Sequence, residues 1–406
     1  MYKLDPIIKS ILDIDLYKIT QQQAVLELYP NAQVTYRFKN RGKHRFNKEF
    51  IDALKYQADW HLVELRSQYE DIHYLSKTCP YLKPAYLEYL RNYRFKPNEI
   101  TKIELDKDNN LELEISGPWH STILWETILM SIISELYFKI YDTKWNDNLN
   151  DVAEKAYKKA EKLLDNEVIF ADFGTRRRRS YDIQETVVRG LHAAGLVYGA
   201  NNKKNTFVGT SNVYLARMLN VKPIGTIAHE MVQGISVLEG LRHANRFAME
   251  KWIEVYGTSL GIMLTDTYTT DSFLKDFNRT FAMLFDGVRQ DSGDPLIFAK
   301  KIIEHYKKLK IDPMSKTIIF SDSLDVTKAI EIKNYCERKI KCSFGIGTHF
   351  SNDFSNSPAL NIIIKLWSIN NIPVVKLSDD PGKENGEQDA IQIAKWIFLN
   401  QSLDSV

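Results

Sequence analysis

The chain has 406 residues, of which 44% are hydrophobic and 26% are charged, and its 54 Lys and Arg residues nearly balance its 52 Asp and Glu residues, for a net charge of +2. This length and composition predict a globular protein with a sizeable core, divided into two domains. The small net charge argues against a protein dedicated to nucleic-acid binding, which would be strongly basic.

No part of the sequence predicts export or a membrane span. Acidic residues interrupt the first 30 positions, so we expect no signal segment there. The most apolar stretch, Thr122–Phe138, carries Glu126 and Glu135 and is predicted to be a buried helix. The 3 cysteines are too few and too scattered for a disulfide framework or a zinc site. We therefore expect a cytoplasmic protein with no membrane partner.

The first part of the chain mixes helix and strand patterns. A helix is predicted over Asp15–Tyr29, a strand with alternating apolar side chains over Gln33–Lys39, aromatic-rich helical segments up to Arg94, and short strands around Ile103–Ile115. This part, residues 1–140, is predicted to be an α+β domain.

From residue 141 to residue 406, strand and helix patterns alternate regularly. After a helix over Asp151–Asn166, the predicted strands are Val168–Phe173, Thr206–Val208, Pro223–Ala228, Gly261–Thr265, Ala282–Val288, Thr317–Phe320, Ser343–Gly345, Ile362–Leu366 and Val374–Lys376. The predicted helices are Ser180–Ala194, Val213–Leu219, Ser236–Val255, Asp271–Asp276, Pro295–Leu309, Asp325–Lys339 and Gln388–Asn400. Such alternation is typical of a parallel sheet, and we predict an α/β fold whose sheet closes into an irregular, TIM-like barrel.

Polar motifs follow these predicted strands one after another. They are Asp172-Phe173-Gly174, Gly209-Thr210-Ser211-Asn212, His229-Glu230, Thr265-Asp266-Thr267, Arg289-Gln290-Asp291-Ser292-Gly293-Asp294-Pro295, Ser321-Asp322-Ser323 and Gly345-Ile346-Gly347-Thr348. Any one of them alone would be interpreted as a turn or a helix cap. Because the carboxyl ends of barrel strands meet on one face, the whole series predicts an active site there.

The first motif continues into a run of arginines, Arg176–Arg179. Its combination of Phe173, Gly174 and guanidinium groups suits a small, flat anion, because the ring can stack and the forked donors can bind a carboxylate or a phosphate. Clustered arginines also occur on solvated faces and in nucleic-acid patches. An RNA-binding protein without catalytic activity is therefore the competing hypothesis.

Other motifs offer groups that suit a phosphorylated sugar. Gly345–Thr348 presents backbone N–H groups and a hydroxyl to a phosphate, although its spacing matches neither the P-loop nor the dinucleotide fingerprint. Asp322 could bind ribose hydroxyls. Arg289 and Asp291 flank one residue of an extended segment, so their side chains are predicted to point the same way, toward a pyrophosphate, a ribose or a metal-bound water. Asp294 and the proline after it are interpreted as the start of a helix.

His229 follows a predicted strand and precedes an acid, at the same end of the predicted barrel. An imidazole with a pKa near its reference value of about 6.5 can act as a base, an acid or a nucleophile. A lone histidine is as often structural, and the residues alone leave both interpretations open.

Taken in order, these motifs resemble those of the nicotinate phosphoribosyltransferase family in its bacterial and fungal form. The matching segments are LDIDLYKITQQQA from Leu12, DFGTRRR from Asp172, GTSN from Gly209, GTIAHE from Gly225, RQDSGDP from Arg289, FSDSLD from Phe320, FGIGT from Phe344 and KLSDDPGK from Lys376. The resemblance extends over nearly the whole chain.

The resemblance implies a fold, an assembly and a reaction. Members of the family join an N-terminal α/β domain to an irregular α/β barrel, and they are usually dimers whose sites are shared between subunits. They convert nicotinate and 5-phosphoribosyl 1-pyrophosphate into nicotinate mononucleotide and pyrophosphate, the first step of NAD synthesis from nicotinic acid. The reaction uses Mg²⁺, held mainly through pyrophosphate, and is coupled to the hydrolysis of ATP as a co-substrate.

For nicotinate, the resemblance implies that Phe173 stacks on the pyridine ring and that Tyr17 of the other subunit completes the sandwich. Arg176 is implied to lie near the substrate carboxylate and pyrophosphate. Ser211 stands where the related nicotinamide enzyme carries an acid. A serine would not repel a carboxylate, so the implied substrate is nicotinate and not nicotinamide.

For the phosphorylated substrates, the resemblance implies that His229 accepts a phosphoryl group from ATP. The other implied roles are pyrophosphate and ring nitrogen or ribose for Arg289 and Asp291, ribose for Asp322, the 5-phosphate for Gly347 and Thr348, phosphates for Lys376 and Lys383, and a reach across the dimer for Arg41. No side chain is assigned to the metal, and His349–Asp353, which departs from the family pattern, is assigned no role. Phosphoribosyltransferases for nicotinamide or quinolinate are the alternatives within this reaction class.

Overall fold

The structure, a computed structural model, describes residues 5–42, 44–143, 145, 148–380 and 382–399. The chain divides into two compact units. The first comprises Met1–Gly225 and Gly345–Lys365, and the second comprises Thr226–Phe344 and Leu366–Val406. The domain boundary predicted at residue 140 stays a prediction. Within the described ranges, no helix is both long and apolar enough to cross a membrane.

The strands, in chain order, are β1 (Gln33–Asn40), β2 (Ile100–Leu105), β3 (Leu111–Pro118), β4 (Phe170–Asp172), β5 (Phe207–Thr210), β6 (Ile262–Leu264), β7 (Gly287–Gln290), β8 (Thr317–Phe320), β9 (Lys341–Ile346), β10 (Ile362–Ile369) and β11 (Ile372–Pro373). The α-helices are α1 (Leu16–Leu28), α2 (Lys48–Tyr56), α3 (Tyr69–Thr78), α4 (Pro84–Asn92), α5 (Trp119–Thr122), α6 (Trp125–Ile140), α7 (Leu149–Asp165), α8 (Tyr181–Ala200), α9 (Val213–Leu219), α10 (His229–Leu238), α11 (Ala244–Tyr256), α12 (Thr270–Asp276), α13 (Arg279–Leu284), α14 (Pro295–Lys308), α15 (Val326–Cys336), α16 (Thr348–Ser351) and α17 (Gln388–Leu399). Shorter turns are the π-helical Gln57–Leu62 and the 3-10 turns Pro97–Glu99, Thr175–Arg177, Leu241–His243 and Pro313–Ser315.

An antiparallel sheet forms part of the first unit, with the strand order β10-β1-β3-β2, to which β10 contributes residues 362–365. Its register pairs Tyr36 with Ile115, and both side chains lie in the core. The predicted buried helix is confirmed as α6, in which Trp125 and most of the residues after it are inaccessible to solvent. The apolar face of this sheet and α6 thus supply much of the core of the first unit.

A parallel sheet supplies the strand ends that carry the polar motifs. In the first unit β4 pairs with β5, and in the second unit the order is β9-β8-β7-β6. Helix α9 and strand β8 have the predicted bounds. Asp294 caps α14 as predicted, accepting the N–H groups of Leu296 and Ile297 at 2.8 and 2.9 Å. The predicted α/β class, with a parallel and an antiparallel sheet, is confirmed, and closure into a barrel stays a prediction.

The strand predicted at Pro223–Ala228 is wrong. This segment forms only an isolated bridge, between Thr210 and Pro223, and α10 starts directly after it. The helix predicted at Ser236–Val255 is two helices, α10 and α11. The chain turns between them at Gly240, whose φ of +118° is open to glycine because it has no Cβ.

The strand predicted at Ala282–Val288 is wrong over its first half. Those residues end helix α13, which Asn278 caps by accepting the N–H of Thr280 at 2.9 Å, and β7 begins only at Gly287. A Cβ on Gly287 would lie 1.8 Å from the carbonyl oxygen of Thr317, so β7 and β8 approach each other at a glycine. A short apolar run is compatible with either a helix or a strand, and the tertiary contacts decide.

The strand predicted at Ile362–Leu366 exists but continues to Ile369 and pairs with β11 in the antiparallel sheet. The two residues between β10 and β11, Asn370 and Asn371, have φ values of 47° and 64°, as a tight type I′ hairpin turn requires. The strand predicted at Val374–Lys376 is wrong, since only an isolated bridge to Asn385 occurs there.

Candidate active site

The first cluster of predicted site residues lies at the end of β4. The N–H of Phe173 donates to the carbonyl of Ile346 at 2.8 Å, and the phenyl ring packs so closely on Gly345 that a Cβ there would come within 2.3 Å of it. Gly347 approaches the same turn, since its Cβ would lie 3.3 Å from the carbonyl of Phe173. The structure therefore brings Phe173 together with Gly347 and the adjoining Thr348.

The arginine run divides into structural and accessible side chains. Arg178 is fully buried and binds Asp13 in bidentate fashion, at 2.6 and 2.9 Å, with Gln184 of α8 at 3.3 Å. Arg179 is also buried, with its guanidinium 3.5 Å from the centre of the Phe138 ring. Arg178 is therefore structural, and its acidic partner, Asp13, precedes α1.

Arg176 is the member of the run that lies beside a predicted ring. Its side chain is 48% exposed, and its guanidinium carbon is 5.7 Å from the centre of the Tyr17 ring. Its Nε lies 3.8 Å from Asp15, and its Nη1 lies 3.4 Å from Glu126, which also binds the buried Lys18 at 2.5 Å. Burial alone would raise the pKa of Glu126, but the positive charges of Lys18 and Arg176 outweigh this effect and lower the pKa below its ordinary value.

Ser211 lies beside an acid that the sequence does not place there. Its hydroxyl donates to Asp15 Oδ1 at 2.6 Å, and its N–H donates to the carbonyl of Asp172 at 2.7 Å. Burial raises the pKa of Asp15, although Arg176 opposes this shift. The carboxyl group next to Ser211 thus comes from the segment before α1. Asp15 joins Ser211 to Arg176, which lies beside this chain's own Tyr17, and the backbone of Asp172 joins Ser211 to the turn that carries Phe173. The Tyr17 predicted to stack on nicotinate is that of the other subunit.

Asp172 links the end of β4 to the end of β5. The carboxylate is fully buried and accepts three hydrogen bonds, from Thr210 Oγ1 at 2.7 Å, from the N–H of Gly174 at 2.9 Å and from Gln184 Nε2 at 3.0 Å. Burial raises its pKa to about 6. Asp172 thus fixes the turn that carries Phe173.

The second cluster surrounds His229, the first residue of α10. Its Nε2 lies 2.8 Å from Asp266 Oδ1 and its Nδ1 lies 3.7 Å from Asp291 Oδ2, and the side chain is 18% exposed. Burial and the nearby Lys376 lower the pKa of His229. The imidazole is therefore mainly neutral near pH 7. Because a carboxylate only accepts, the proton lies on Nε2 and the lone pair lies on Nδ1.

Asp266 holds this arrangement in place. It is buried and also accepts Ser292 Oγ at 2.6 Å and Lys376 Nζ at 2.9 Å. Burial would raise the pKa of Asp266, but His229 and Lys376 hold it well below its ordinary value. The carboxylate is therefore ionised and fixes both the imidazole and the ammonium group.

Arg289 and Asp291 do point the same way, as their spacing predicts. Arg289 Nη2 lies 3.3 Å from Asp291 Oδ2, and Nη1 donates to Thr226 Oγ1 at 2.5 Å. Asp291 also accepts the hydroxyl of Ser321 at 2.7 Å. Arg289 is buried, and in the described part of the chain its Nε has no hydrogen-bond acceptor. A buried, charged donor in this state is suited to an anion.

The remaining predicted residues lie farther from these contacts. Lys383 Nζ is 4.0 Å from Asp322 and makes a short ion pair with Asp380. Arg41 lies in the exposed turn after β1, where its N–H donates to the carbonyl of Asn361 at 2.8 Å. In the described ranges, no hydrogen bond or ion pair joins Arg41 to another predicted site residue.

One group of side chains has the spacing of a metal site. Ligand atoms of His229, Asp266 and Asp291 lie within 4.8 Å of one another. Mg²⁺ prefers oxygen ligands throughout, whereas this set includes an imidazole, and Lys376 and Arg289 already bind the two carboxylates. The set fits Mg²⁺ poorly as a dedicated cage.

Comparison with known proteins decides the family. Residues 168–402 match the nicotinate phosphoribosyltransferase (NAPRTase) family, and residues 12–134 match the N-terminal domain of that family. The chain belongs to the nicotinate phosphoribosyltransferase family. The nicotinate phosphoribosyltransferase of Methanosarcina mazei is 49% identical over 415 residues, which cover 98% of this chain and 100% of that one. The nicotinate phosphoribosyltransferase of Saccharomyces cerevisiae is 43% identical, over 96% of this chain and 95% of that one.

Solved structures of the nicotinate phosphoribosyltransferase family have the same fold. The crystal structure of a putative nicotinate phosphoribosyltransferase from Saccharomyces cerevisiae superposes with a TM-score of 0.92, at 42% identity, over 97% of this chain and 99% of that one. The nicotinate phosphoribosyltransferase of Porphyromonas gingivalis gives a TM-score of 0.90 at 38% identity, over 96% and 99%. The resemblance inferred from the motifs is thus confirmed.

Two acids that the structure places at the site, Asp15 and Asp266, are not among the site residues predicted for this family member. Asp266 belongs to a polar motif after a predicted strand, and this position indicates a site residue. Its contact with His229 is a tertiary contact that the local sequence does not show. Asp15 was interpreted only as the start of a helix. Its contact with Ser211 joins residues 196 positions apart, which no local pattern reveals.

Proposed function

We propose that this protein is a nicotinate phosphoribosyltransferase, which joins nicotinate to 5-phosphoribosyl 1-pyrophosphate and releases pyrophosphate. The observation that carries the proposal is the grouping of His229, Asp266, Arg289, Asp291 and Lys376 through direct contacts, in a member of this family. These residues supply a nucleophile, fixed positive charge and an oriented carboxylate, which the proposed reaction needs.

Fixed positive charge is the main contribution to catalysis in this proposal. As the bond from ribose C1 to pyrophosphate breaks, the ribose gains positive character and the leaving group gains negative charge, while the nitrogen lone pair of nicotinate forms the new bond to C1. Arg289 and Lys376 would stabilise the leaving group. Mg²⁺ bound through the pyrophosphate would supply further positive charge. Nicotinate already carries its lone pair, so no general base is required.

Nicotinate recognition is assigned to the first cluster. Its ring would stack on Phe173, with Tyr17 of a second subunit on the other face, and its carboxylate would bind Arg176. The carboxyl group of Asp15 changes the basis of the predicted selectivity. An acid therefore lies beside Ser211 after all, and Arg176, whose Nε is 3.8 Å from Asp15, would supply the positive charge that binds the substrate carboxylate.

ATP coupling is assigned to His229. Its Nδ1 lone pair would attack the γ-phosphorus of ATP, the bond from that phosphorus to the bridging oxygen would break, and ADP would leave with the bond electrons. Asp266 would stabilise the positive charge that develops on the imidazole, through the Nε2–H bond at 2.8 Å. Hydrolysis of the phosphohistidine would complete the cycle.

The remaining assignments follow the family motifs. The 5-phosphate would bind at Gly347 and Thr348, the ribose at Asp322 and a phosphate at Lys383, while Arg41 would act across a homodimer with shared sites. We further propose a cytoplasmic enzyme of the ATP-dependent class, acting in NAD synthesis from nicotinic acid, with an irregular α/β barrel. A crystal structure with substrates would test these assignments together.

The RNA-binding alternative loses its main support. It requires the arginine run to contact phosphates, but Arg178 and Arg179 are fully buried. A salt-dependent RNA-binding assay with no nucleotide product would favour it.

A steady-state assay tests the proposed function. The purified protein is expected to form nicotinate mononucleotide from nicotinate, with pyrophosphate, and faster with ATP than without it. His229→Ala should lose the stimulation by ATP, whereas the exposed His243→Ala should keep it. If ATP stimulates His229→Ala as much as the parent, the phosphohistidine role is wrong. Equal turnover of nicotinamide, or release of carbon dioxide from quinolinate, would contradict the substrate assignment.

A further inference from the structure

The segment after the phosphate motif, His349–Asp353, is bound on its inner side to the arginine run. The hydroxyl of Ser351 donates to the carbonyl of Gly174 at 2.8 Å, and the N–H of Arg179 donates to the carbonyl of Ser351 at 3.0 Å. These contacts fix the segment to the turn that carries Phe173 and to the arginine run. The other side of the segment contacts helix α7.

Two lysines of α7 bind the outer side of this segment. Lys159 Nζ donates to the carbonyl of His349, in a short contact, and lies 2.6 Å from Asp353 Oδ2. Lys155 Nζ lies 3.2 Å from the same carboxylate oxygen. The Lys159 side chain is 14% exposed and that of Lys155 is 42% exposed, so Lys159 makes the more buried contact.

We propose that Lys159 is a positioning residue for the 5-phosphate of 5-phosphoribosyl 1-pyrophosphate. His349, whose carbonyl it holds, directly follows Gly347 and Thr348, the residues assigned to that phosphate. By fixing His349 and Asp353 to α7, Lys159 holds α16 and the two residues after it in the binding conformation before the substrate arrives. The proposal rests on the proposed function, which assigns Gly347 and Thr348, directly before this segment, to the 5-phosphate.

Preorganisation and charge both favour this role. A loop that is already ordered loses less conformational entropy when the ligand binds. Asp353 would repel a phosphate dianion, and the ammonium groups of Lys159 and Lys155 outnumber this one carboxylate. Lys155 alone would balance the charge of Asp353, so the ammonium group of Lys159 makes the net charge of this group positive.

The neighbouring Lys158 supplies a matched control. It lies on the same helix, its side chain is 63% exposed, and it forms an ion pair with Glu154 one turn away. Lys159→Met should raise the KM for 5-phosphoribosyl 1-pyrophosphate about tenfold, which is about what disordering one residue costs. The KM for nicotinate and the melting temperature should change little, Lys159→Arg should restore most of the affinity, and Lys158→Met should match the parent.

Two results would overturn the proposal. The first is an unchanged KM for 5-phosphoribosyl 1-pyrophosphate in Lys159→Met. The second is a parallel rise of the KM values for both substrates together with a lower melting temperature, because a residue with only a structural role would produce that result. If Lys159→Met does not fold, Lys159→Gln, which keeps a hydrogen-bond donor for the His349 carbonyl but loses the charge, should raise the same KM alone and to a smaller extent. Calorimetry of 5-phosphoribosyl 1-pyrophosphate with parent and variant separates the two hypotheses. An inactive parent that binds this compound more tightly than Lys159→Met contradicts the proposed reaction, whereas equal affinities contradict the role of Lys159.

Discussion

Replacing Asp266 by asparagine tests how the nucleophile of the second cluster is prepared. An asparagine has one acceptor oxygen and one NH₂ donor, whereas the carboxylate accepts on both sides. On one side stands Lys376 Nζ at 2.9 Å, which can only donate, and on the other stands His229 Nε2 at 2.8 Å. The amide oxygen should therefore face Lys376 and the NH₂ group should face His229.

That orientation moves the proton of the imidazole. Nε2 of His229 must accept from the new NH₂ group, so the proton lies on Nδ1 and the nucleophilic lone pair is lost. The opposite orientation sets a buried NH₂ against an ammonium group, which costs about 1–3 kcal/mol or more. At about 1.4 kcal/mol for each factor of ten, the reactive tautomer falls to roughly one molecule in ten to one in a hundred.

The assay compares the rates of nicotinate mononucleotide formation with and without ATP and follows labelling of the protein by ATP labelled at the γ-phosphate. Asp266→Asn should label about 10 to 100 times more slowly than the parent, and stimulation by ATP should nearly vanish. Asp271→Asn, at a side chain that is 72% exposed and pairs with Lys301 on the surface, serves as the control and should behave as the parent does. Labelling of Asp266→Asn at the parental rate would refute the reasoning about the tautomer.

Three further predictions concern the first unit. Arg178→Ala should lower the free energy of unfolding by about 3–5 kcal/mol, because it leaves Asp13 buried without its cation, and a urea denaturation that shows less than about 1 kcal/mol would contradict this. The pKa of Asp172 is about 6 in the native state, above its value of 3.8 in the unfolded chain. Between these two pH values the native state holds a proton that the unfolded state has lost, so the free energy of unfolding falls as the pH rises from 3.8 to about 6. Relative to Asp172→Asn, the parent should lose about 2 kcal/mol between pH 4 and pH 7, and parallel curves would disprove the assigned pKa. Gly345→Ala should raise the KM for nicotinate through displacement of the Phe173 ring, at a cost of about 1–3 kcal/mol, and unchanged binding would show that the ring does not contact the substrate.

Local patterns were sufficient for part of the site. Arg289 and Asp291 share a side because extended backbone has a period of two, and Asp294 caps α14 because Asp before Pro favours that position. Asp322 and Gly347 follow strands at the predicted positions. In each of these cases the decisive interaction lies within a few residues of the chain.

Contacts between distant residues could not be predicted in this way. Arg178 is interpreted from the sequence as one of four similar arginines, and only the bond to Asp13, 165 residues earlier, distinguishes it. The barrel expectation placed Ile362–Leu366 in the parallel sheet, whereas β10 lies beside β1 in the antiparallel one and continues into the hairpin at Asn370 and Asn371. That asparagine pair was the available local signal for the hairpin.

The ion pair between Arg178 and Asp13 has a consequence for the order in which the chain folds. Asp13 leaves the ribosome long before Arg178 is made, and the closing segment of the first unit, Gly345–Lys365, follows most of the second. The first unit therefore cannot reach its final structure during early synthesis, although domains often fold from the N-terminus onward. A nascent chain that ends at residue 140 contains Asp13 without its cation, so we expect it to lack the final structure of the first unit.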